Sequence, residues 1–285
     1  MSYDGLNYDK QIHIPGSIPI TEESFPDPES LVGYFRKVVH LDESQIEKRK
    51  RLSFYGSDLI TRVKINGKEV GSHQGGFDAF FFDVTEQMNK GENEILVMVE
   101  DKKIEDLNHE IIGKQDWYGN IAGMWQPVEL EILEETFIDS AEFEIHQDAV
   151  SVQLDIHGAY EAINYTLSKK GTVLKEGNAT DSKMVIRRDI LQCWSPDQPN
   201  RYDLNIAIIQ NGSVMDNLEK AIGFREITQN NGKIYLNGEP FYMKGLLDQD
   251  YYPETDYVPP SHDFFGSIFP MPEPLMKSPR SIWHT

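Results

Sequence analysis

Along the first 133 residues, apolar positions come in short runs separated by turn residues, with no sustained period near 3.6. Residues 33–41 (GYFRKVVHL), 51–55 (RLSFY), 59–65 (LITRVKI), 79–84 (AFFFDV), 94–100 (EILVMVE) and 127–133 (PVELEIL) each have strand length. Asn66-Gly67, between Ile65 and Val70, is a two-residue hairpin signal, because both turn positions need positive φ. Short strands at regular spacing with turns between them predict a β-sandwich or jelly roll.

A seam is expected at Glu134-Glu135-Thr136, and a tighter series follows. Val150, Val152, Leu154 and Ile156 alternate with polar residues, as do Tyr202, Leu204, Ile206 and Ile208, the mark of a sheet with one buried face. Asn211-Gly212 turns the second of these strands back. About ninety residues with this many strands suit a seven-stranded immunoglobulin-like sandwich, without the Cys pair and Trp pattern of antibody domains. Residues 232–245 (GKIYLNGEPFYMKG) then read as a hairpin running into a buried strand. Beyond His262 the prolines at 270, 272, 274 and 279 break every period, which predicts a poorly ordered tail. The segment 227–285 is expected to be the least stable part, with a proteolytic core ending near Glu226.

Composition narrows the function classes. Hydrophobic residues make up 39%, enough to build real cores. The net charge is −20, from 47 acidic and 27 basic residues, and that field repels a polyphosphate, so no nucleic-acid partner is expected. Cys193 is the single cysteine, so no intrachain disulfide forms. The N-terminus lacks a basic stretch followed by an apolar run, and no apolar window reaches 18 residues. A cytoplasmic protein with no membrane partner is the expectation.

Four segments, in order, resemble the N-terminal half of glycoside hydrolase family 2, which includes β-galactosidases, β-glucuronidases and β-mannosidases. They are VKINGKEVGSHQGGFDAFFFDVTE (63–86), GNIAGMWQPVELEIL (119–133), WSPDQPNRYDLNI (194–206), and GFREI followed by GKIYLNGEPFYMKG (223–245). The resemblance covers roughly residues 10 to 260. It implies an all-β chain with a jelly-roll, galactose-binding-like sandwich at 1–134 and an immunoglobulin-like sandwich at 135–226. A truncated opening segment of a (β/α)8 barrel at 227–260 and the tail at 261–285 follow. The resemblance also implies a strand before residues 11–17, without which the jelly roll has an unpaired edge. LLDQDYYPETDYVPPS departs from the commoner branch, whose first barrel strand ends in Asn-Arg-His-Glu, and leaves the sugar open.

The family's chemistry is retaining hydrolysis of β-glycosides by two carboxylates. In the family these are glutamates on later barrel strands; Glu254 and Glu273 sit among prolines and receive no catalytic role. No catalytic residue is therefore assigned. The resemblance implies substrate contacts at Asp116, Trp117 and Tyr118, in a loop where an acidic residue reaches a sugar hydroxyl. It implies further contacts at Asp248 and Gln249, at the C-terminal end of the barrel strand. Aromatic faces beside carboxylates suit sugars, since rings pack on C–H groups and carboxylates accept from hydroxyls. Trp117 reads equally as a core residue and Trp125 reads as core or seam, while Asp248 and Gln249 read equally as exposed loop.

His73 resembles a turn residue of the family rather than a ligand, and the eight histidines show no metal-binding spacing. The acidic run Asp101, Glu105, Asp106 and Glu110 reads as a solvated loop, and Cys193 as a small buried hydrophobe. No metal and no cofactor are expected. The leading reading is a β-galactosidase-like glycosidase fragment, inactive alone, with carbohydrate as partner and homo-oligomerisation left open. Its alternatives are a non-catalytic carbohydrate-binding module and a two-sandwich interaction protein.

Overall fold

The structure is a computed structural model. It describes residues 1–2, 5–8, 10–16, 18–19, 32–101, 121–189, 191–244 and 252. The chain forms two compact units that divide after Ile132.

The first unit holds β1 (Ile18–Pro19), β2 (Val32–Leu41), the one-turn helix α1 (Glu43–Ile46), β3 (Arg49–Phe54), β4 (Ile60–Ile65) and β5 (Lys68–Gln74). It continues with β6 (Phe80–Asp83), β7 (Gly91–Glu100), β8 (Ile121–Ala122) and β9 (Val128–Leu133). One sheet runs β2-β7-β4-β5, a second β6-β3-β9, and β1 pairs with β8. Alternation decides which side chains enter the core. Ile95, Val97 and Val99 of β7, Val63 and Ile65 of β4, Leu52 and Phe54 of β3 and Val128 of β9 are buried together. Lys50 breaks the pattern: it is fully buried, and its ammonium donates to the Ile46 carbonyl at the end of α1. Desolvation holds its pKa below the ordinary lysine value, against the pull of Glu47 and Asp83. Ser2 pairs with Tyr34 of β2 through two backbone hydrogen bonds.

The predicted Asn66-Gly67 turn is present, with φ of 52° and 77°. Its polar lock was not legible. The Asn66 side chain donates to Asn93 Oδ1 and to Gln87 O, both at 2.9 Å, and accepts from the Glu94 amide. Buried Asn93 donates in turn to Asn89 O and Gly91 O.

The second unit holds β10 (Phe137–Ile145), β11 (Ala149–His157), β12 (Ala162–Lys169), β13 (Thr172–Ala179), β14 (Lys183–Arg187), β15 (Tyr202–Gln210) and β16 (Ser213–Ile222). Sheets β10-β11-β14 and β13-β12-β15-β16 make a seven-stranded sandwich. Val150, Val152 and Leu154 from one sheet meet Leu204, Ile206 and Ile208 from the other in its core. Tyr202, buried at the start of β15, donates its hydroxyl to Gln192 O at 3.1 Å and accepts from Gln192 N at 2.9 Å. That is the tyrosine-corner arrangement of immunoglobulin-like sandwiches.

A three-stranded meander, β17 (Ile227–Asn230), β18 (Lys233–Leu236) and β19 (Glu239–Pro240), completes this unit. Tyr242 and Met243 after it are exposed, while Leu236 is buried. Asn237 ties the meander down. Its amide nitrogen donates to Trp194 O at 3.0 Å, and its oxygen accepts from Glu226 N at 3.0 Å. The meander is thus hydrogen-bonded to the 194–202 loop, where the sequence alone suggested weak attachment. Asn237→Gly keeps the positive φ of this turn and removes both side-chain bonds, at a cost of about 1–3 kcal/mol. Trypsin is expected to leave Lys233 intact in the wild type and to cut there in the variant. Equal cutting in both proteins contradicts the assigned tie.

Candidate functional site

The expected contact residues Asp116, Trp117, Tyr118, Asp248 and Gln249 lie outside the described residues, as do Glu254 and Glu273. What the structure describes is the frame that holds the segment bearing the first three. Leu59 N donates to Glu100 O at 3.4 Å, on the N-terminal side of that segment. Asp58 and Gly123 exchange backbone bonds of 3.0 and 3.1 Å on the C-terminal side. Two consecutive residues therefore grip both ends.

Packing fixes this grip from beneath. Ser57, Asp58 and Thr61 are buried, and Thr61 Oγ1 donates to Ser57 Oγ at 2.7 Å. Gly76 lies directly over Asp58: a Cβ there would stand 2.3 Å from Asp58 Oδ1. Trp125 closes the other side. Its indole Nε1–H donates to Gly76 O at 2.8 Å, and its ring leans against Phe77 at 5.5 Å. Trp125 is half-buried and serves as a strut between the 75–78 turn and the exit of the segment. His73 lies in strand β5 rather than in a turn. It stacks on Phe80 at 3.8 Å and faces Asp78 at 3.1 Å.

The outward face of β6-β3-β9 carries a polar network. Tyr55, just past β3, is joined to Pro127 by a backbone bond and leads directly into Gly56-Ser57-Asp58. Arg51 clasps Glu131 through two bonds of 2.9 and 3.1 Å, and Ser53 donates to the same carboxylate at 2.6 Å. Burial pushes the Glu131 carboxyl up, but the Arg51 and Ser53 bonds and the guanidinium charge outweigh it and hold the group low. Glu129 is held high, mainly by burial, with a bond from the Tyr55 hydroxyl opposing and the Glu131 charge reinforcing. The Tyr55 phenol is pushed up to about 12 by burial and both carboxylates.

Neither the grip nor the network announced itself in the sequence. Ser57 and Asp58 sit in a turn with no periodicity to mark them. The Glu129 and Glu131 alternation in VELEIL marked only a polar face. Among the described residues, no three His, Cys, Asp or Glu side chains are grouped to hold a metal ion. Cys193 is half-buried rather than fully buried, with Sγ 3.8 Å from Gln147 O. No described helix is long and apolar enough to cross a membrane.

Two sequence models match. Residues 1–156 fit the sugar binding domain of glycosyl hydrolases family 2, and residues 136–225 fit a second domain of the same family. The chain belongs to glycosyl hydrolase family 2. A β-galactosidase of Thermoanaerobacter pseudethanolicus is 29% identical over 262 residues, spanning 83% of this chain and 35% of that protein. A putative β-glucuronidase of Formosa agariphila is 27% identical, over 76% of this chain and 22% of its own length. The chain thus spans about a third or less of these curated relatives. Among solved structures, the β-glucuronidase of Ruminococcus gnavus bound to a C6-substituted uronic isofagomine shares the fold. It has a TM-score of 0.72 and 19% identity, over 90% of this chain and 47% of that one.

The two glutamates shape the acid limb of stability with opposite sign. Glu131, held low, contributes stability that is present above its unfolded value and lost as pH falls through the folded value. Glu129, held high, opposes folding once ionised and relieves that penalty as pH falls. Urea unfolding across acid pH is therefore expected to give a shallower acid limb for Glu131→Gln and a steeper one for Glu129→Gln. Parallel limbs for both variants contradict the assignment.

Proposed function

We propose that this chain is the sugar-binding and immunoglobulin-like portion of a retaining β-glycosidase of galactosidase or glucuronidase type. In this reading, Asp116, Trp117 and Tyr118 project toward the sugar from the segment gripped by Asp58 and Leu59. Residues 227–260 open the catalytic barrel, with Asp248 and Gln249 at the sugar-facing end of its first strand. The observation that carries the reading is the match of residues 1–156 to the family's sugar binding domain, around a segment held at both ends. A β-glycoside is the partner, the cytoplasm the compartment, and self-association a property of the whole enzyme. The Ruminococcus gnavus neighbour seen in complex with D-glucuronic acid supports a monosaccharide as the ligand class.

Retaining hydrolysis needs two carboxylates about 5 Å apart astride the scissile bond. No residue of this chain is assigned either role. The 285-residue chain is therefore expected to bind sugar without hydrolysing it. Incubation with nitrophenyl β-galactoside, β-glucuronide and β-mannoside should release no nitrophenol above background. Isothermal titration with galactose and glucuronic acid should give saturable binding that Asp116→Ala weakens by about tenfold, the worth of one hydrogen bond to a charged group. Turnover abolished by Glu254→Gln or Glu273→Gln contradicts this reading, as does binding indifferent to Asp116.

A further inference from the structure

Four Asn-Gly pairs sit in four hairpin turns built alike. Asn66-Gly67 joins β4 to β5, Asn211-Gly212 joins β15 to β16, Asn231-Gly232 joins β17 to β18, and Asn237-Gly238 joins β18 to β19. Each asparagine has a φ between 47° and 53°, and each glycine a φ between 71° and 82°. A Cβ on any of these glycines would meet nothing within 4 Å, so no other segment crowds the glycine side of the turns.

The asparagine side chains differ. Asn66 donates to Gln87 O and Asn93 Oδ1 and accepts from Glu94 N. Asn237 donates to Trp194 O and accepts from Glu226 N. Among the described residues, the Asn211 and Asn231 side chains have no hydrogen-bond partner. Exposure does not make the difference, because Asn66 is exposed as Asn211 and Asn231 are.

An Asn-Gly pair carries its own reaction, since glycine has no Cβ to hinder its amide. The glycine nitrogen gives its proton to solvent base and attacks the asparagine Cγ. The Cγ–Nδ2 bond breaks and ammonia leaves, closing a succinimide ring. Water then adds to one of the two ring carbonyls. Opening at Cγ gives aspartate; opening at the main-chain carbonyl gives isoaspartate. No oxidant or reductant takes part. The side chain must first swing onto the glycine nitrogen, so every hydrogen bond it makes elsewhere has to break.

We propose that Asn211 and Asn231 are hydrolytic modification sites, converting with age to aspartate and isoaspartate, while side-chain bonds keep the same dipeptide intact at Asn66 and Asn237. The protected pair are the asparagines that fasten distant segments, and the labile pair only turn the chain. Each conversion adds a negative charge to a chain already at −20. Isoaspartate also lengthens the main chain by one carbon in a turn whose length sets the pairing of Gln210 with Ser213 or of Asn230 with Lys233.

The test is incubation of the 285-residue chain in mildly alkaline buffer, then denaturation, tryptic digestion and mass spectrometry. Cuts at Lys68, Arg225 and Lys233 put the four pairs in separate peptides. Asn211 and Asn231 are expected to convert about tenfold faster, or more, than Asn66 and Asn237, the effect of the bonds that must open first. In urea that unfolds the chain those bonds are gone, and the four rates should converge. The double variant Asn211→Gly with Asn231→Gly should lose the acidic species that accumulates on ion exchange. The proposal is overturned if the four pairs convert at one rate in native buffer, if none converts there, or if the acidic species persists in the double variant. A gap that survives in urea also overturns it, because neighbouring sequence and not side-chain bonding would then set the rates.

Discussion

A single dipeptide, Asp58-Leu59, holds both ends of the segment that carries the proposed sugar contacts. Its backbone bonds to Glu100 and Gly123 bring the two flanks of residues 102–120 together into a neck. The neck is packed from beneath. Gly76 leaves no room for a methyl against Asp58, and Trp125 spans from Gly76 to the strand that follows the segment.

The rest of the first unit follows from one-sided burial. β3 and β9 send Leu52, Phe54 and Val128 inward, which forces Arg51, Ser53, Glu129 and Glu131 outward onto one face. Two carboxylates two residues apart on a strand would repel. The guanidinium fork of Arg51 settles the conflict by holding Glu131 ionised, and burial leaves Glu129 as the more easily protonated partner. The polar face and the neck meet at Tyr55.

Much of the fold was legible because antiparallel sandwiches write their rules locally. Alternation in β11 and β15 named the buried residues of the second unit, and Asn66-Gly67 and Asn211-Gly212 named two turns. The turn at Lys170-Gly171 escaped notice because Lys rarely takes the positive φ it adopts there. The helix α1 escaped because four residues set by an Asp42 capping box are too few to show a period. The site was less legible. Backbone pairing at Asp58 and Leu59, the Gly76 contact and the Trp125 strut depend on residues far apart in sequence, and no local pattern marks them. The buried Glu129 looked like any solvent-facing position of an amphipathic strand.

The most direct test is the saccharide affinity of Gly76→Ala measured by titration calorimetry against the wild type. A methyl at this position collides with Asp58 Oδ1 while leaving the hydrophobic cores of both units untouched. The account predicts a variant that still unfolds cooperatively but no longer binds galactose or glucuronic acid measurably. Wild-type affinity in Gly76→Ala would contradict it, since the neck would then have no part in presenting the sugar-binding segment.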